Sequence, residues 1–406
     1  SYPSAMARAE TPPIRYSPFD PAIFDDPLPV YARLRAESPV HHVEEFDCWA
    51  LACFEDVWNA CQAVDDFTAE QGTTAGHLLQ KVTPVFPALD MMDPPRHTQI
   101  RAAISPSFLP RQAARLEDEF RDIVRSCLDR ARQAGRIDVV RELGSELSTM
   151  AVCRILGFPR EDGAMLRGWV DAVFHREPGS LGITPAGAEG WDRLDAYALE
   201  RVRERRASGE DGHDVLGRYC AAEIDGHRLP EDVISSLLKE LVVAGTETLP
   251  KMLAATLRRL AEHPEARREV IADRSLILDA FLETVRFDMP TQFMARVAKR
   301  DLEIRGHEIR EGQPVLLLYT SASRDEAEFP NADRWDLHRN APRTIGFGHG
   351  THACLGRHVA RLEARVAIDE ILTAMPDYSV DLAASERVYT EFVQGFASLP
   401  IEFEPY

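Results

Sequence analysis

One long stretch of helical periodicity constrains the fold of this chain more than any other feature of its sequence. It starts at Leu229 and Pro230, where two acidic residues, Glu231 and Asp232, suit the first turn of a helix. It can continue to Glu262, which stands before a His-Pro step. At about 1.5 Å per residue, its roughly 33 residues would extend for about 50 Å, enough to cross a whole domain. The sequence therefore predicts a large domain that one helix traverses.

The remaining pattern contains helical and strand-like regions without a boundary between domains. Helical periodicity extends from Arg96 to His263, and a mobile connection rich in Pro and Gly is expected at 177–190. Short strands are predicted after Pro290, and residues 1–27 are expected to be irregular chain with few helical turns. We find no internal repeat and no low-complexity linker. Residues 1–406 are therefore predicted to form a single domain that is mainly α with small β-sheets.

Composition narrows the classes of partner and compartment. The 47 Lys and Arg residues against 66 Asp and Glu residues give a net charge of −19, which argues against nucleic acids and anionic membranes as partners. No apolar run approaches the ~18 residues of a membrane-spanning helix, and no signal peptide is visible. The seven cysteines show no CxxC spacing, which argues against a disulfide framework and a zinc site. We therefore expect a cytoplasmic protein.

A cysteine stands between glycines at the point where a helix is predicted to begin, in the segment 347–356 with the sequence FGHGTHACLG. The glycines allow backbone N–H groups to approach the sulfur of Cys354. Those N–H groups and the helix dipole stabilise a thiolate, and Phe347 can cover the sulfur and exclude water. The segment also fits the pattern GxGxxA, but no β-rich run precedes it, which argues against a dinucleotide site. These features favour a thiolate that binds a metal.

A second motif lies on the predicted long helix, in the segment 244–248 with the sequence AGTET. Glycine in the middle of a helix costs up to about 1 kcal/mol relative to alanine, which indicates that another element packs closely at Gly245. Pro250 would clash with the carbonyl group of Thr246 and bend the helix. An acid next to a hydroxyl at such a bend, as in Glu247 and Thr248, can relay protons. Taken alone, however, this segment would be interpreted as an ordinary helix that contains a glycine.

The segment around Cys354 resembles the haem-binding signature FxxGxxxCxG of the cytochrome P450 family, and every signature position matches. The family's distal-helix motif, Ala/Gly-Gly-x-x-Thr with an acid before the threonine, matches as well, and Thr248 precedes Cys354 by 106 residues. Glutamate stands where aspartate is commoner. The resemblance extends from about Leu28 to the Leu399–Pro400 tail. It implies the cytochrome P450 fold, a single large domain with a long distal helix and a cysteine haem loop.

The resemblance implies haem b as cofactor and O2 as co-substrate, with Cys354 as the metal ligand. It gives Glu247 and Thr248 the role of proton delivery. The other residues expected at the haem are Ala244, Gly245, Phe347 and Gly356 around the ring and the iron, and His97, Arg101, Arg296 and His352 at the propionates. The absence of CxxCH argues against covalent attachment of the haem.

A third motif, ExxR, places Glu283 and Arg286 on one face of a helix as an ion pair. In isolation it would be interpreted as a solvated surface pair. In the family, this pair joins an arginine from the irregular segment before the cysteine loop, and Arg339 fits that position. The resemblance implies that the three residues hold the haem-loop side of the protein together and are not catalytic.

The implied activity is that of a haem-thiolate monooxygenase that inserts one oxygen atom from O2 into a small hydrophobic or aromatic substrate, by hydroxylation or O-demethylation. Apolar residues dominate the positions expected at the pocket. These positions are Leu79, Val85, Phe86, Leu241, Val243, Gln292, Met294, Phe392 and Val393. Gln292 is expected to orient a polar group of the substrate.

Electrons are expected to come from a separate ferredoxin or flavodoxin. A local basic patch at the cysteine side of the haem, formed by Arg111, Arg357 and Arg361, would steer an acidic partner towards a monomer of net charge −19. Two alternatives stay open, namely a non-catalytic haem-binding or gas-sensing protein and a peroxide-driven peroxygenase. The intact pair of Glu247 and Thr248 favours the monooxygenase, because a peroxide-using variant would be expected to lack it.

Overall fold

The computed structural model describes residues 13–82, 87–177, 182–210 and 212–405. In this part of the chain, helices dominate and strands are short, as predicted. The α-helices are α1 Pro21–Asp25, α2 Leu28–Glu37, α3 Phe54–Gln62, α4 Ala75–Leu78, α5 Arg96–Ile104, α6 Pro110–Ala113, α7 Glu117–Ala131, α8 Ser145–Leu156, α9 Gly163–Phe174, α10 Pro185–Ser208, α11 Val215–Ala221, α12 Glu231–Glu262, α13 Pro264–Ala272, α14 Ile277–Phe287, α15 Tyr319–Ala322 and α16 Arg357–Ala374.

The strands form small sheets at the side of the helical body. They are β1 Val40–Val43, β2 Cys48–Leu51, β3 Phe67–Thr68, β4 Arg136–Asp138, β5 Glu223–Ile224, β6 His227–Arg228, β7 Met294–Ala298, β8 Leu302–Ile304, β9 His307–Ile309, β10 Pro314–Leu317, β11 Ser379–Val380, β12 Glu386–Arg387, β13 Phe396–Ser398 and β14 Pro400–Glu402. The largest sheet among the described residues has the order β1-β2-β10-β7-β3, and a second has the order β11-β14-β4. In the first sheet β10 is parallel to β2 and antiparallel to β7.

The predicted long helix is α12, which has 32 residues and ends directly before His263. Its N-terminal half, with Leu237 and Leu238, belongs to a hydrophobic cluster shared with α9, α10 and α11. Its C-terminal half, with Leu253 and Leu257, belongs to a second cluster shared with α7, α14 and α16. A helix that is apolar around most of its circumference must be buried on several sides. The helix α12 therefore joins the two largest parts of the core.

Close packing surrounds the bend predicted in α12. A Cβ atom at Gly245 would lie 2.4 Å from Cγ2 of Val152 in α8, so the mid-helix glycine does mark a close approach of another element. A Cβ atom at Gly144 would lie 2.8 Å from Cα of Pro250. Pro250 has no N–H group that could donate to the carbonyl oxygen of Thr246. That oxygen instead accepts a hydrogen bond from Nη1 of Arg167 at 2.7 Å. The broken helical hydrogen bond is thus replaced by a tertiary one.

The expected connection at 177–190 is shorter than predicted, because α10 already begins at Pro185. Pro185 occupies the first turn, where its missing N–H group has no cost, and Oγ1 of Thr184 accepts a hydrogen bond from the N–H group of Gly187 at 3.1 Å. A Cβ atom at Gly190 would lie 2.8 Å from the carbonyl oxygen of Trp169. The glycines that suggested a loop therefore serve close packing of α10 on α9.

The described part of the N-terminal segment, residues 13–27, combines irregular chain with one short helix. Of residues 13–27, the helix α1 covers Pro21–Asp25. Tyr16, Phe19 and Ile23 are buried in a cluster with Tyr31 of α2. Aromatic residues distributed among prolines and acids thus anchor an otherwise irregular segment beneath the first sheet.

Candidate active site

The loop before α16 is shaped by two glycines in the left-handed region. Gly348 and Gly350 have φ angles of +67° and +68°, in the left-handed region that favours glycine. The N–H group of Cys354 donates to the carbonyl oxygen of Phe347 at 2.7 Å and closes the loop. A Cβ atom at Gly350 would lie 2.6 Å from the carbonyl oxygen of Cys61. The loop is therefore held against α3 and presents Cys354 just before the first turn of α16.

Cys354 is the exposed member of the seven cysteines, all of which lie in described residues, and the other six are buried. Protein atoms nevertheless surround the thiol, and this burial raises its pKa. The N–H groups of Gly356 and Arg357 and the charges of Arg101 and Arg357 act in the opposite direction. The thiol thus has a pre-formed electropositive environment, and a bound metal cation would complete its conversion to a thiolate.

An accessible space also borders the middle of α12. Ala244 is exposed and Thr248 is half-buried, although Val242 and Val243 beside them are buried. The two accessible residues are one helical turn apart on the same face. Leu355, the neighbour of Cys354, packs against the hydrophobic cluster that contains Val242 and Val243. We infer that Cys354 and this face of α12 border one internal space. The Cβ position of Gly245 faces Val152, so only its backbone can border that space.

Two arginines without acidic partners, Arg101 and Arg296, give the region of Cys354 a positive charge. Nη2 of Arg101 donates to the carbonyl oxygen of Ala353 at 2.6 Å, and Nη1 of Arg296 donates to that of Ala295 at 2.7 Å. Neither guanidinium forms an ion pair with a carboxylate of the described residues. An uncompensated pair of this kind favours an anionic ligand with carboxylate groups.

Two histidines complete this cluster. The rings of His97 in α5 and His352 in the cysteine loop have centroids 4.4 Å apart. Both ring nitrogens of His97 are buried without a hydrogen-bond partner, which is rare unless a ligand supplies one. Burial, with Arg101 as the next cause, lowers the pKa of His97 to about 4. Burial, with Arg296 as the next cause, lowers the pKa of His352 to about 3.

These residues fit haem b. A cysteine that can become a thiolate is available for the iron, and four residues with unsatisfied hydrogen-bonding capacity or uncompensated charge are available for the two propionate groups. The structure brings together His97, Arg101, Arg296 and His352, the four residues that the resemblance assigns to the propionates. Phe347 is half-buried, and its carbonyl oxygen accepts the hydrogen bond from Cys354 that closes the loop.

The predicted relay acid has a partner that the sequence interpretation missed. Glu247 is buried, and its Oε1 contacts Nζ of Lys251, which is buried as well. Oε2 of Glu247 has no hydrogen bond and lies 3.7 Å from Nη2 of Arg167 in α9. Glu and Lys four residues apart on one helix face are a recognisable signal for an ion pair. Its position in a helix that is otherwise apolar could have revealed a buried pair.

The ExxR motif forms the three-residue network that the resemblance implied. Nε and Nη2 of Arg286 donate to the two carboxylate oxygens of Glu283 at 2.8 and 2.7 Å. Nε of Arg339 donates to Oε1 of Glu283 at 3.0 Å. All three residues are largely screened from solvent, so the pair is not the solvated surface pair that it could have been in isolation.

The predicted pocket residues divide into three groups. Leu79, Leu241, Met294 and Phe392 are half-buried apolar side chains. Val243, Gln292 and Val393 are buried, and Oε1 of Gln292 accepts a hydrogen bond from the Tyr31 hydroxyl group at 2.9 Å. Nε2 of Gln292 is buried without a hydrogen-bond partner among the described residues, so its expected role towards a polar group of the substrate stays a prediction. Val85 and Phe86 lie outside the described residues.

The three arginines predicted for the partner face lie on α6 and α16, which are in contact. Arg111 and Arg357 are exposed and Arg361 is half-exposed, and none forms an ion pair with a carboxylate of the described residues. Arg361 lines a shallow groove of about 210 Å³ with Pro110 and His358. Within the described ranges, no helix is long and apolar enough to cross a membrane.

Comparisons with known proteins agree with this site. A family model described as Cytochrome P450 matches residues 186–376. A Mycobacterium tuberculosis protein provisionally named cytochrome P450 123 is 34% identical over 402 residues, which cover 98% of this chain and 99% of that protein. The methyl-branched lipid omega-hydroxylase of the same organism is 32% identical over 396 residues, covering 91% of this chain and 90% of that protein.

A solved structure has the same fold. The structure of cytochrome P450 CYP109Q5 from Chondromyces apiculatus has a TM-score of 0.84 at 26% identity and covers 97% of this chain and 99% of its own. This chain therefore shares the helical framework of a known P450 structure, and about a third of its residues are identical in P450 relatives. This chain belongs to the cytochrome P450 family of monooxygenases, whose cofactor is haem b and whose co-substrate is O2.

Proposed function

We propose that this protein is a haem-thiolate monooxygenase that inserts one oxygen atom into a small hydrophobic or aromatic substrate, by hydroxylation or O-demethylation. The observation that carries the proposal is the combination of an exposed thiol at the N-terminus of α16 with a cationic cluster that lacks acidic partners. A haem held by a cysteine thiolate supplies the activation of O2, because the thiolate donates electron density that favours O–O cleavage.

The side chains have separate roles in this proposal. Cys354 would bind the iron, and its neighbouring N–H groups would help the metal to stabilise the sulfur as a thiolate. His97, Arg101, Arg296 and His352 bind the propionate groups and fix the orientation of the haem. Glu247 and Thr248 bring protons to the internal space, with the Thr248 hydroxyl group as the last protein group before the reacting oxygen.

The accessible pocket residues support an apolar substrate. Four of the predicted pocket residues are half-buried apolar side chains, namely Leu79, Leu241, Met294 and Phe392. A pocket with such a lining selects ligands by burial of hydrophobic surface. The relative named a methyl-branched lipid omega-hydroxylase supports lipids as one class to test. The experiment is a titration of the purified holoenzyme with branched fatty acids and with aromatic compounds, followed by the spin-state shift of the haem absorption.

One of the two compound classes should shift the spin state of the haem. The variant Phe392→Ala should bind compounds of that class about tenfold or more weakly than the wild type. Leu382→Ala is the matched control, because Leu382 is an exposed hydrophobic residue, 49% accessible. Equal binding by Phe392→Ala, Leu382→Ala and the wild type would contradict the placement of the pocket. A spin-state shift by neither class would contradict a hydrophobic substrate.

A ferredoxin or flavodoxin is proposed to deliver electrons at the face formed by Arg111, Arg357 and Arg361. Charge reversal by Arg361→Glu should slow reduction by an acidic donor protein more than it weakens substrate binding, and higher salt should reduce the difference. Arg193→Glu on α10 is the matched control, since Arg193 is an exposed arginine on another helix. Equal slowing by both variants would refute the docking face.

The sequence allows two other functions, a gas sensor and a peroxide-driven peroxygenase. A gas sensor would not consume NADH in the presence of substrate and donor proteins, and a peroxygenase would turn over with hydrogen peroxide faster than with NADH. The buried Glu247 beside Thr248 favours neither, because both functions dispense with proton delivery. Comparison of NADH-driven with peroxide-driven product formation distinguishes the three.

A further inference from the structure

A fully buried lysine is present in the centre of α12 and is not explained by the proposed binding of haem. Lys251 lies one turn after Glu247. Its Nζ contacts Oε1 of Glu247 and donates to the carbonyl oxygen of the same residue at 3.0 Å. Lysine is almost never fully buried unless it is paired. Glu247 is therefore the reason why Lys251 can remain inside the protein as a cation.

Stability alone does not account for this pair. Taking two charges out of water costs several kcal/mol per ion, and replacement of a buried ion pair by apolar residues is often neutral or stabilising. The tail of the chain also accommodates the lysine, because a Cβ atom at Gly395, which has a φ angle of +127°, would lie 3.1 Å from Cβ of Lys251. An apolar residue would satisfy the same packing, so the charge of Lys251 indicates a chemical role.

A second cation connects this pair to solvent. Nη2 of Arg167 in α9 lies 3.7 Å from Oε2 of Glu247 and 2.5 Å from Oδ1 of Asp171. The side chain of Asp171 is 55% exposed. The charged groups thus alternate in sign from solvent to the centre of α12, in the order Asp171, Arg167, Glu247 and Lys251. The free Oε2 of Glu247 faces the solvent side of this series, and its Oε1 is held by Lys251.

We infer that Lys251 is a positioning residue that holds the carboxylate of Glu247 within this charged series and off the hydroxyl group of Thr248 between proton transfers. The inference rests on the proposed role of Glu247 and Thr248 in proton delivery. In each transfer, Glu247 takes one proton from a hydronium ion of the solvent on the side of Arg167 and leaves Lys251. It gives that proton to the hydroxyl oxygen of Thr248, which releases its own hydroxyl proton into the internal space. Glu247 is then a carboxylate again and returns to Lys251, so the pair regains its charges and the net change is the transfer of one proton from solvent to the internal space.

The charges around the pair determine the direction of the expected pH effect. The described titratable and charged groups that act on Lys251 are Glu247 on its own helix and Arg167 and Asp171 on α9, and the tail contributes the uncharged Gly395. Burial lowers the pKa of Lys251, and the carboxylate of Glu247 opposes this shift. Removal of the lysine charge takes away the cation in contact with the Glu247 carboxylate, and loss of an opposite charge disfavours the charged form of an acid. The pH profile of proton delivery should then move towards alkaline pH.

The test compares Lys251→Met, which keeps most of the volume but removes the charge, with Lys251→Arg, which keeps the charge. Measurements on the holoenzyme give the fraction of NADH electrons recovered in product, from pH 6 to pH 9. Lys251→Met should move this profile towards alkaline pH by one unit or more, and Lys251→Arg should restore the wild-type profile. Lys251→Gln replaces Lys251→Met if the latter does not fold. Identical profiles of the wild type and the uncharged variant would overturn the inference.

A second readout does not depend on turnover. Infrared difference spectra of the resting protein report protonated carboxyl groups through their C=O stretch, and subtraction of the spectrum of Glu247→Gln isolates Glu247. Near pH 7 this band should be absent in the wild type and present in Lys251→Met. Its absence in both proteins would also overturn the inference.

The two readouts separate this inference from the proposed function. If Glu247→Gln leaves the recovery of electrons in product unchanged, the proposed proton delivery fails and the inference fails with it. If Glu247→Gln lowers that recovery while Lys251→Met and Lys251→Arg both behave like the wild type, the proposed function holds and Lys251 has only a structural role.

Discussion

Removal of Arg286 should destabilise the protein more than any surface substitution. Its guanidinium is buried, and besides its two bonds to Glu283 it donates to the carbonyl oxygens of Ser323 and Ala332 at 2.7 and 3.0 Å. Breaking a buried ion pair by removing one partner costs about 3–5 kcal/mol, and each buried carbonyl left without a donor adds about 1–3 kcal/mol. Arg286→Ala should therefore cost at least about 5 kcal/mol, which is comparable with the whole stability of many proteins.

The assay is thermal unfolding of the holoenzyme together with its haem content after purification. Arg286→Ala should yield little folded protein or a strongly lowered midpoint, and Arg286→Lys should lie between it and the wild type, because lysine keeps the charge but not the two-pronged geometry. Arg193→Ala is the control, since its exposed pair with Glu189 is worth less than about 1 kcal/mol. Equal midpoints of Arg286→Ala and Arg193→Ala would refute the reasoning.

Two further predictions concern packing and charge in the core. Gly245→Ala should destabilise the protein by about 1–3 kcal/mol, because the new methyl group would overlap Val152, and Val152→Ala should restore most of the loss; no rescue in the double variant would contradict the contact. Burial raises the pKa of Glu363 well above its usual value. The folded protein therefore retains a proton that the unfolded chain releases. Because of this difference, stability falls as the pH rises above the ordinary pKa of glutamate. Glu363→Gln should therefore gain stability relative to the wild type by up to about 1.4 kcal/mol per pH unit between pH 5 and pH 7, measured by denaturant unfolding, whereas a gain independent of pH would contradict this account.

Features that depend on local backbone chemistry could be predicted from the sequence. The bounds of α12 follow from its apolar periodicity and the flanking prolines. The shape of the cysteine loop follows from Gly348 and Gly350, because the left-handed φ angles of these two positions favour glycine. The family resemblance supplied Arg339 as the third member of the ExxR network, and the structure confirms its contact with Glu283.

Features that depend on the choice of a distant partner could not be predicted. The sequence around Thr246 does not indicate that Arg167 of α9 donates a hydrogen bond to its carbonyl oxygen. The sequence around Gln292 likewise does not indicate its hydrogen bond with Tyr31. The glycines of α10 suggested a loop because close packing of two helices and a flexible connection require the same residue. In each case, tertiary contacts decided between two structures that the local sequence allows.

The proposed function depends above all on Cys354, which we propose binds the iron of haem b as a thiolate. The most direct measurement is the absorption spectrum of the dithionite-reduced protein with carbon monoxide, recorded for the wild type and for Cys354→His. The wild type should show a strongly red-shifted Soret band that the variant lacks. A Soret band typical of histidine-ligated haem in the wild type, or purified protein without haem, would contradict the account.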